Sequence, residues 1–486
     1  MFGQALSRCR AFEYFFPQRN VESVDRDGRR NIRANRVVQA SPIVADNGWV
    51  EPADFPRCAL QALTAALILS IGSSLGGPLL FLFGLPLTLA GFVIACGAAR
   101  NWSNPARSST VPAIATWLAV MAALGIVGPR TGGLLWYEIV KRSFAVVSIG
   151  LVGVFACEDR TWQRRASLVM IVLALFVFAL GPIGAPHPTI DVFAWTQASV
   201  QALLHRIHPY TVVAPDVYQG RYDFGFTVSV YPYMPATLIA YAPWVALLGD
   251  FRFVLPACLA LTIALVYRIG RRLQVNALFI DASALAFVLH PSGPRMIESG
   301  WAEPLMVVAA ALFVSCALDN PRGVGQATAF LLLPALKQYV VAPPLLYLMR
   351  GKKAFRLRAL AAAAAIVAST LLPFLIWNWH ATISGMVFQM QAPTGPRLGS
   401  TSLVALVATT AGVYPSRWMS AIVQLIVGAI AWWRLKDHGL SGFLLASALS
   451  LYATFLVGWQ AFVNYYYFVG ALLILAALVR AHPEPA

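Results

Sequence analysis

Apolar residues fall along this chain in long blocks, not at a short fixed period. Runs of about 12 to 21 mostly apolar positions, many within the 17 to 25 that a span needs, recur from residue 58 onward, with Arg and Lys at their ends. The first four cover about 58–74, 78–98, 111–128 and 143–157. Later runs cover about 166–184, 253–267, 277–290, 300–317, 325–336, 338–349, 359–378, 417–434, 439–457 and 464–480. A block of this length predicts a membrane-spanning helix, and the alternating ten-residue pattern of a membrane barrel is absent. The expected fold is an all-α polytopic membrane bundle of about 12–14 spans. Segments 231–248 and 403–413 are expected either to span or to lie in the membrane plane.

Composition agrees: 59% of the 486 residues are hydrophobic and 12% are charged. Soluble domains carry roughly twice that charged fraction. The net charge of +16 raises the question of nucleic acid, but no basic stripe with interleaved aromatics is present, so no nucleic-acid partner is expected. The cations cluster at run ends, as the positive-inside rule produces. Arg160, Arg164 and Arg165, then Arg268, Arg271 and Arg272, mark cytoplasmic ends, whereas Lys141 and Arg142 run against the rule. The six cysteines lack ligand spacing, so free thiols are expected, with no metal site and no cofactor.

Three regions follow. Residues 1–57 hold nine Arg and no long apolar run, and read as a cytoplasmic, partly disordered tail. Residues 58–158 read as accessory N-terminal hairpins, and 159–486 as a core with one long outer loop at 185–252. No cleavable signal peptide is expected, since the first apolar run starts only near Cys58. No internal repeat is visible, which weighs against repeat-built transporters.

The outer loop carries the chemistry. Asp191 stands just past the run 166–184, and a carboxylate at a bilayer edge is costly to place without a role. Residues 192–207 then form an amphipathic pattern, with Phe193, Val200, Leu203, Leu204 and Ile207 on one face. Asp191 either caps that helix or acts as a general base toward an acceptor hydroxyl. His208 and Tyr210 follow, then Tyr231 and Tyr233. Such rings offer flat faces for a sugar, or form an ordinary interfacial belt.

Other polar groups share that predicted side. Arg295, Lys337 and Arg397 are candidate ligands of a lipid phosphate, with snorkelling or solvation as the plain alternatives. Glu298, Gln338 and Tyr339 lie at the same face. Glu303 falls inside a run, where an acid is expected to face a cavity or a partner such as Lys337.

These residues resemble the GT-C superfamily of membrane glycosyltransferases, specifically glycosyltransferase family 87, the polyprenol-phosphate-mannose-dependent group. Four elements carry the resemblance: Asp191 after the first core span, His208-Pro209-Tyr210, Tyr231-Pro232-Tyr233-Met234-Pro235, and Ala335-Leu336-Lys337-Gln338-Tyr339 before Pro343-Pro344. His208 stands where that family commonly has Asn, and Tyr233 interrupts its Pro-Pro pair. The resemblance implies a GT-C-type bundle with extracytoplasmic juxtamembrane helices. It also implies inverting transfer of a mannose-like sugar from a polyprenyl-phosphate donor to a lipid or glycan acceptor, with Asp191 as base, on the outer side of a bacterial inner membrane. Polysaccharide polymerase or ligase and lipid-linked glycan transporter are the competing classes.

Overall fold

The computed structural model describes residues 55–75, 79–102, 107–108, 111–127, 133–157, 159–217, 230–320, 324–340, 343, 346, 353–388, 397 and 399–482. Residues 1–54 of the expected tail, most of the run 338–349 and part of the outer loop lie outside these residues. The described chain is almost wholly helical, as the apolar blocks require when every backbone polar group must be satisfied inside lipid.

The helices are α1 (Arg57–Ser74), α2 (Leu85–Arg100), α3 (Val111–Val127), α4 (Leu135–Phe155), α5 (Arg160–Ala179), the single turn α6 (Gly181–Gly184), α7 (Asp191–Leu204), α8 (Pro235–Leu248), α9 (Val254–Arg272) and α10 (Ala277–Val288). Then come α11 (Gly293–Ser299), α12 (Glu303–Asp319), α13 (Val324–Leu336), α14 (Lys353–Thr370), α15 (Leu372–Ile383), α16 (Leu403–Ala411), α17 (Trp418–Leu435), α18 (Gly439–Leu456) and α19 (Val463–Arg480). A two-residue antiparallel bridge pairs Phe55 with Ser108 and Pro56 with Arg107.

Six apolar helical segments are long enough to cross a membrane, or up to eight when each of two bent pairs counts as one span. The expected all-α polytopic bundle is therefore formed, these counts being of the described residues and Trp418–Leu456 being one segment of 39 residues made of two helices. Several apolar runs fold into helices too short to cross alone: 235–248, 277–288 and 325–336. At 1.5 Å per residue these reach roughly 18–21 Å, against about 30 Å of hydrocarbon. The run at 143–157 belongs to a helix that begins at Leu135 and takes in Glu138, Lys141 and Arg142.

α19 and α1 pack together at the centre. In α1, Cys58, Ala59, Ala62, Leu63 and Ala65 are fully buried, and small side chains let helix backbones approach closely. No boundary between compact units falls near residue 158, so α1 lies inside the same unit as the expected core.

Charges gather at two ends of the bundle. At one, Arg268 and Arg272 hold Asp319, and Arg164 holds Asp281. The other carries Glu303, Lys337, Glu298, Lys141 and Arg252.

Candidate functional site

Two helix ends create the central ion pair. Glu303 opens α12 and Lys337 follows the last residue of α13, so each charge complements the dipole of its own helix. Gly300 adopts φ 70° just before α12, and α11 and α12 meet at 114°. The Lys337 Nζ–Glu303 Oε1 distance is 2.6 Å, with the two side chains 2% and 0% exposed. The same oxygen accepts from Asn464 Nδ2 at 2.9 Å and from the Tyr339 hydroxyl at 3.4 Å. The pairing expected of Glu303 is therefore formed. Lys337 neither snorkels to water nor offers its charge at an open surface.

Aromatic rings complete the enclosure. Lys337 Nζ lies 4.8 Å from the Tyr233 ring centre, 5.1 Å from Tyr465 and 5.6 Å from Tyr339, all within cation–π range. Gln338 ties this turn to the outer loop, donating to Pro232 O at 2.8 Å.

Asp191 sits at the rim of this group. It is the first residue of α7, half-buried, and its Oδ1 accepts the Val192 N–H at 2.8 Å. The preceding Ile190 supplies no side-chain cap, so Asp191 also meets the positive end of the helix. Its charge acts on both Tyr233 and Tyr465, two of the three rings that border Lys337. Burial pushes the Tyr233 phenol well above its ordinary range, with Tyr465, Glu303 and Asp191 adding to the effect, so Tyr233 is a neutral hydrogen-bond donor. Arg397 is half-buried as well and acts on Tyr465. Its backbone is pinned through a 2.9 Å N–H bond to Trp459 O.

The other predicted sugar platforms sit differently. His208, Tyr210 and Tyr231 are 6%, 3% and 0% exposed. Their rings pack on one another and on Phe374 and Trp377, and the Tyr210 hydroxyl donates to Tyr233 O at 2.6 Å. Gly385 lets Tyr210 close down, since a Cβ there would lie 2.4 Å from its ring. These three side chains shape the loop and hold Tyr233, and they present no open face to a ligand. Burial lowers the His208 pKa, which favours the neutral ring. In α7, Trp195, Thr196, Ser199 and Val200 face inward, while Leu204, and Ile207 beyond the helix end, are exposed.

Glu298 and Arg295 join a separate region against α4. Lys141 bridges Glu138 and Glu298 at 2.8 Å each, and Arg295 lies 5.8 Å from the Trp301 ring. Beside them Arg252 is completely buried. It donates to the carbonyls of Ala185, Glu298 and Pro182 and pairs with Asp250 at 2.6 Å. The sequence reading missed Arg252 and Glu138. The signal for this second cluster was the Lys141-Arg142 pair on the wrong side for the positive-inside rule, which buried acids explain.

Among the described residues no three His, Cys, Asp or Glu side chains converge as a metal site requires. No protein family profile matches the chain, and neither a curated protein nor a solved structure does.

Proposed function

We propose that this membrane protein is an inverting glycosyltransferase. It moves a mannose-like hexose from a polyprenyl-phosphate donor to a hydroxyl of a lipid or glycan acceptor, on the extracytoplasmic face of a bacterial inner membrane. One observation carries the reading: a half-buried carboxylate, Asp191, and a half-buried guanidinium, Arg397, both act on Tyr465 at the end of an apolar bundle. A carboxylate base that takes a proton and a cation that receives a phosphate are what this transfer requires.

In this reading Asp191 accepts the acceptor hydroxyl's proton while that oxygen attacks the anomeric carbon. The bond from that carbon to the phosphate oxygen breaks, the polyprenyl phosphate departs beside Arg397, and the configuration inverts. Tyr233 donates to a sugar or phosphate oxygen. Lys337, sealed against Glu303, acts as a positioning residue that fixes the Tyr233 and Tyr465 rings. The donor enters laterally from the bilayer, so no soluble nucleotide-sugar domain is needed.

A second reading, transport of a lipid-linked glycan, is favoured by the sharp break between α11 and α12 beside a buried ion pair. Membranes containing the wild type or Asp191→Asn, supplied with polyprenyl-phosphate-[³H]mannose, separate the two. Transferase activity gives a labelled product that the variant fails to make, whereas a transporter makes no product in either case. An equal product yield from wild type and variant would reject Asp191 as the base.

A further inference from the structure

Arg252 lies in the short turn after α8, completely buried, with every donor it carries engaged. A guanidinium has five N–H donors. Here Nε donates to Asp250 Oδ2 at 3.0 Å, and Nη1 to Ala185 O at 2.8 Å and Glu298 O at 2.9 Å. Nη2 donates to Asp250 Oδ2 at 2.6 Å and to Pro182 O at 3.1 Å. Asp250 balances the charge. No donor is left for a lipid phosphate, so this arginine acts on the protein itself.

Those bonds grip one side of the segment that delivers Asp191. Pro182 belongs to α6 and Ala185 follows it, where helix-end carbonyls need outside donors. The far side is gripped through the face of the same guanidinium. Its Cζ lies 4.4 Å from the centre of the Phe193 ring, within cation–π range. Phe193 sits in the first turn of α7 and stacks on Phe251 with ring centres 5.8 Å apart. One helical turn on, Gln197 donates to Gly249 O at 2.8 Å. Gly249 itself ends α8 with φ 77° and so starts the turn. Residues 186–190 are thus held at both ends by the turn 249–252.

The anchored side of α7 is not the side that carries the carboxylate. Side chains two positions apart on a helix point about 200° apart, so Phe193 faces the turn while Asp191 faces away from it. Trp195, four residues after Asp191, shares its face and meets the Tyr233 ring edge-on at 6.4 Å. Arg252 therefore holds the back of the first turn, and the carboxylate is presented from its front, toward Tyr233 and Tyr465.

We propose that Arg252 is the positioning residue of Asp191. Through α6 on one side and the Phe193 ring on the other, it fixes the direction in which the carboxylate points. The role rests on Asp191 as the base of sugar transfer. A misplacement of about 1 Å can cost such a group about a hundredfold in rate.

Hydrogen–deuterium exchange and transfer kinetics on the full chain in nanodiscs test this, with polyprenyl-phosphate-mannose as donor and membrane lipid extract as acceptor. Phe193→Leu keeps the apolar volume and removes the ring face. It is expected to speed amide exchange at residues 189–194 at least about tenfold, while α9 and α19 exchange as in the wild type. Its kcat is expected to fall at least about tenfold with the donor KM within about twofold. Phe193→Tyr keeps the ring and should match the wild type in both readouts. Arg252→Lys loses the fork and the planar face and should behave as Phe193→Leu does. Phe193→Leu leaves the Arg252 hydrogen bonds in place and decides the matter where Arg252→Lys purifies poorly. Unchanged exchange at 189–194 in Phe193→Leu would overturn the proposal whether or not the protein transfers sugar. Faster exchange with an unchanged kcat would overturn it as well. Expected exchange with no transfer by the wild type would reject Asp191 as the base and leave the clamp standing.

Discussion

Replacing Lys337 by Met isolates the energetics of the central pair. Met keeps a long apolar side chain among the rings of Tyr233, Tyr339 and Tyr465 and removes only the charge. Glu303, 0% exposed, then keeps the Asn464 amide and a long contact to the Tyr339 hydroxyl, while its Oε2 has no partner among the described residues. Removing one member of a buried pair costs about 3–5 kcal/mol, because the other charge stays buried without compensation. That is roughly two to three and a half orders of magnitude in the folding equilibrium, at about 1.4 kcal/mol per tenfold. Replacing both members by apolar groups is often neutral, so Lys337→Met with Glu303→Met should recover most of the loss. Equilibrium unfolding by SDS in mixed micelles measures all three variants. A single variant within about 1 kcal/mol of wild type, or a double variant no better than the single, would refute the reasoning.

Three further outcomes follow from particular contacts. Gly300→Ala should destabilise by about 2–4 kcal/mol, since φ is +70° and the new Cβ would lie 2.4 Å from the Phe251 ring; the same unfolding assay reads it. Arg252→Lys should not rescue Arg252→Met, because an ammonium cannot reproduce the fork that reaches Ala185, Glu298, Pro182 and Asp250 together; both variants should lose at least about 3 kcal/mol. His290 makes stability depend on pH. Between pH 6.5 and about 3 the unfolded chain holds a proton there that the folded chain does not, so stability falls as pH falls through that window. From pH 7 to pH 5 the loss is about 2 kcal/mol, and His290→Asn should flatten that part of the unfolding profile.

The helical membrane class was legible because apolar runs of spanning length leave the backbone no other way to satisfy itself. The breaks within the runs were not. Hydropathy registers where apolar residues lie, and it does not show where Gly300 turns the chain or where a run folds into twelve residues, as at α10. The Glu303–Lys337 pair was legible because an acid inside a run needs a partner, and Lys337 was a cation on the same predicted face. The Lys141–Glu298 bridge spans 157 positions, and no spacing rule relates residues so distant. Aromatic residues misled in one direction. His208, Tyr210 and Tyr231 read as platforms because ring-rich loops do bind sugars, yet the same rings supply the apolar area that packs a loop against α15.

The most direct test of the central claim is a kinetic comparison of purified wild-type protein and Asp191→Asn in proteoliposomes, with polyprenyl-phosphate-mannose as donor. A positioned general base contributes about 10²- to 10⁴-fold. The account predicts a fall of that size in kcat with the donor KM little changed, since the amide keeps the shape of the carboxylate and loses only its basicity. A variant that turns over at the wild-type rate would contradict it.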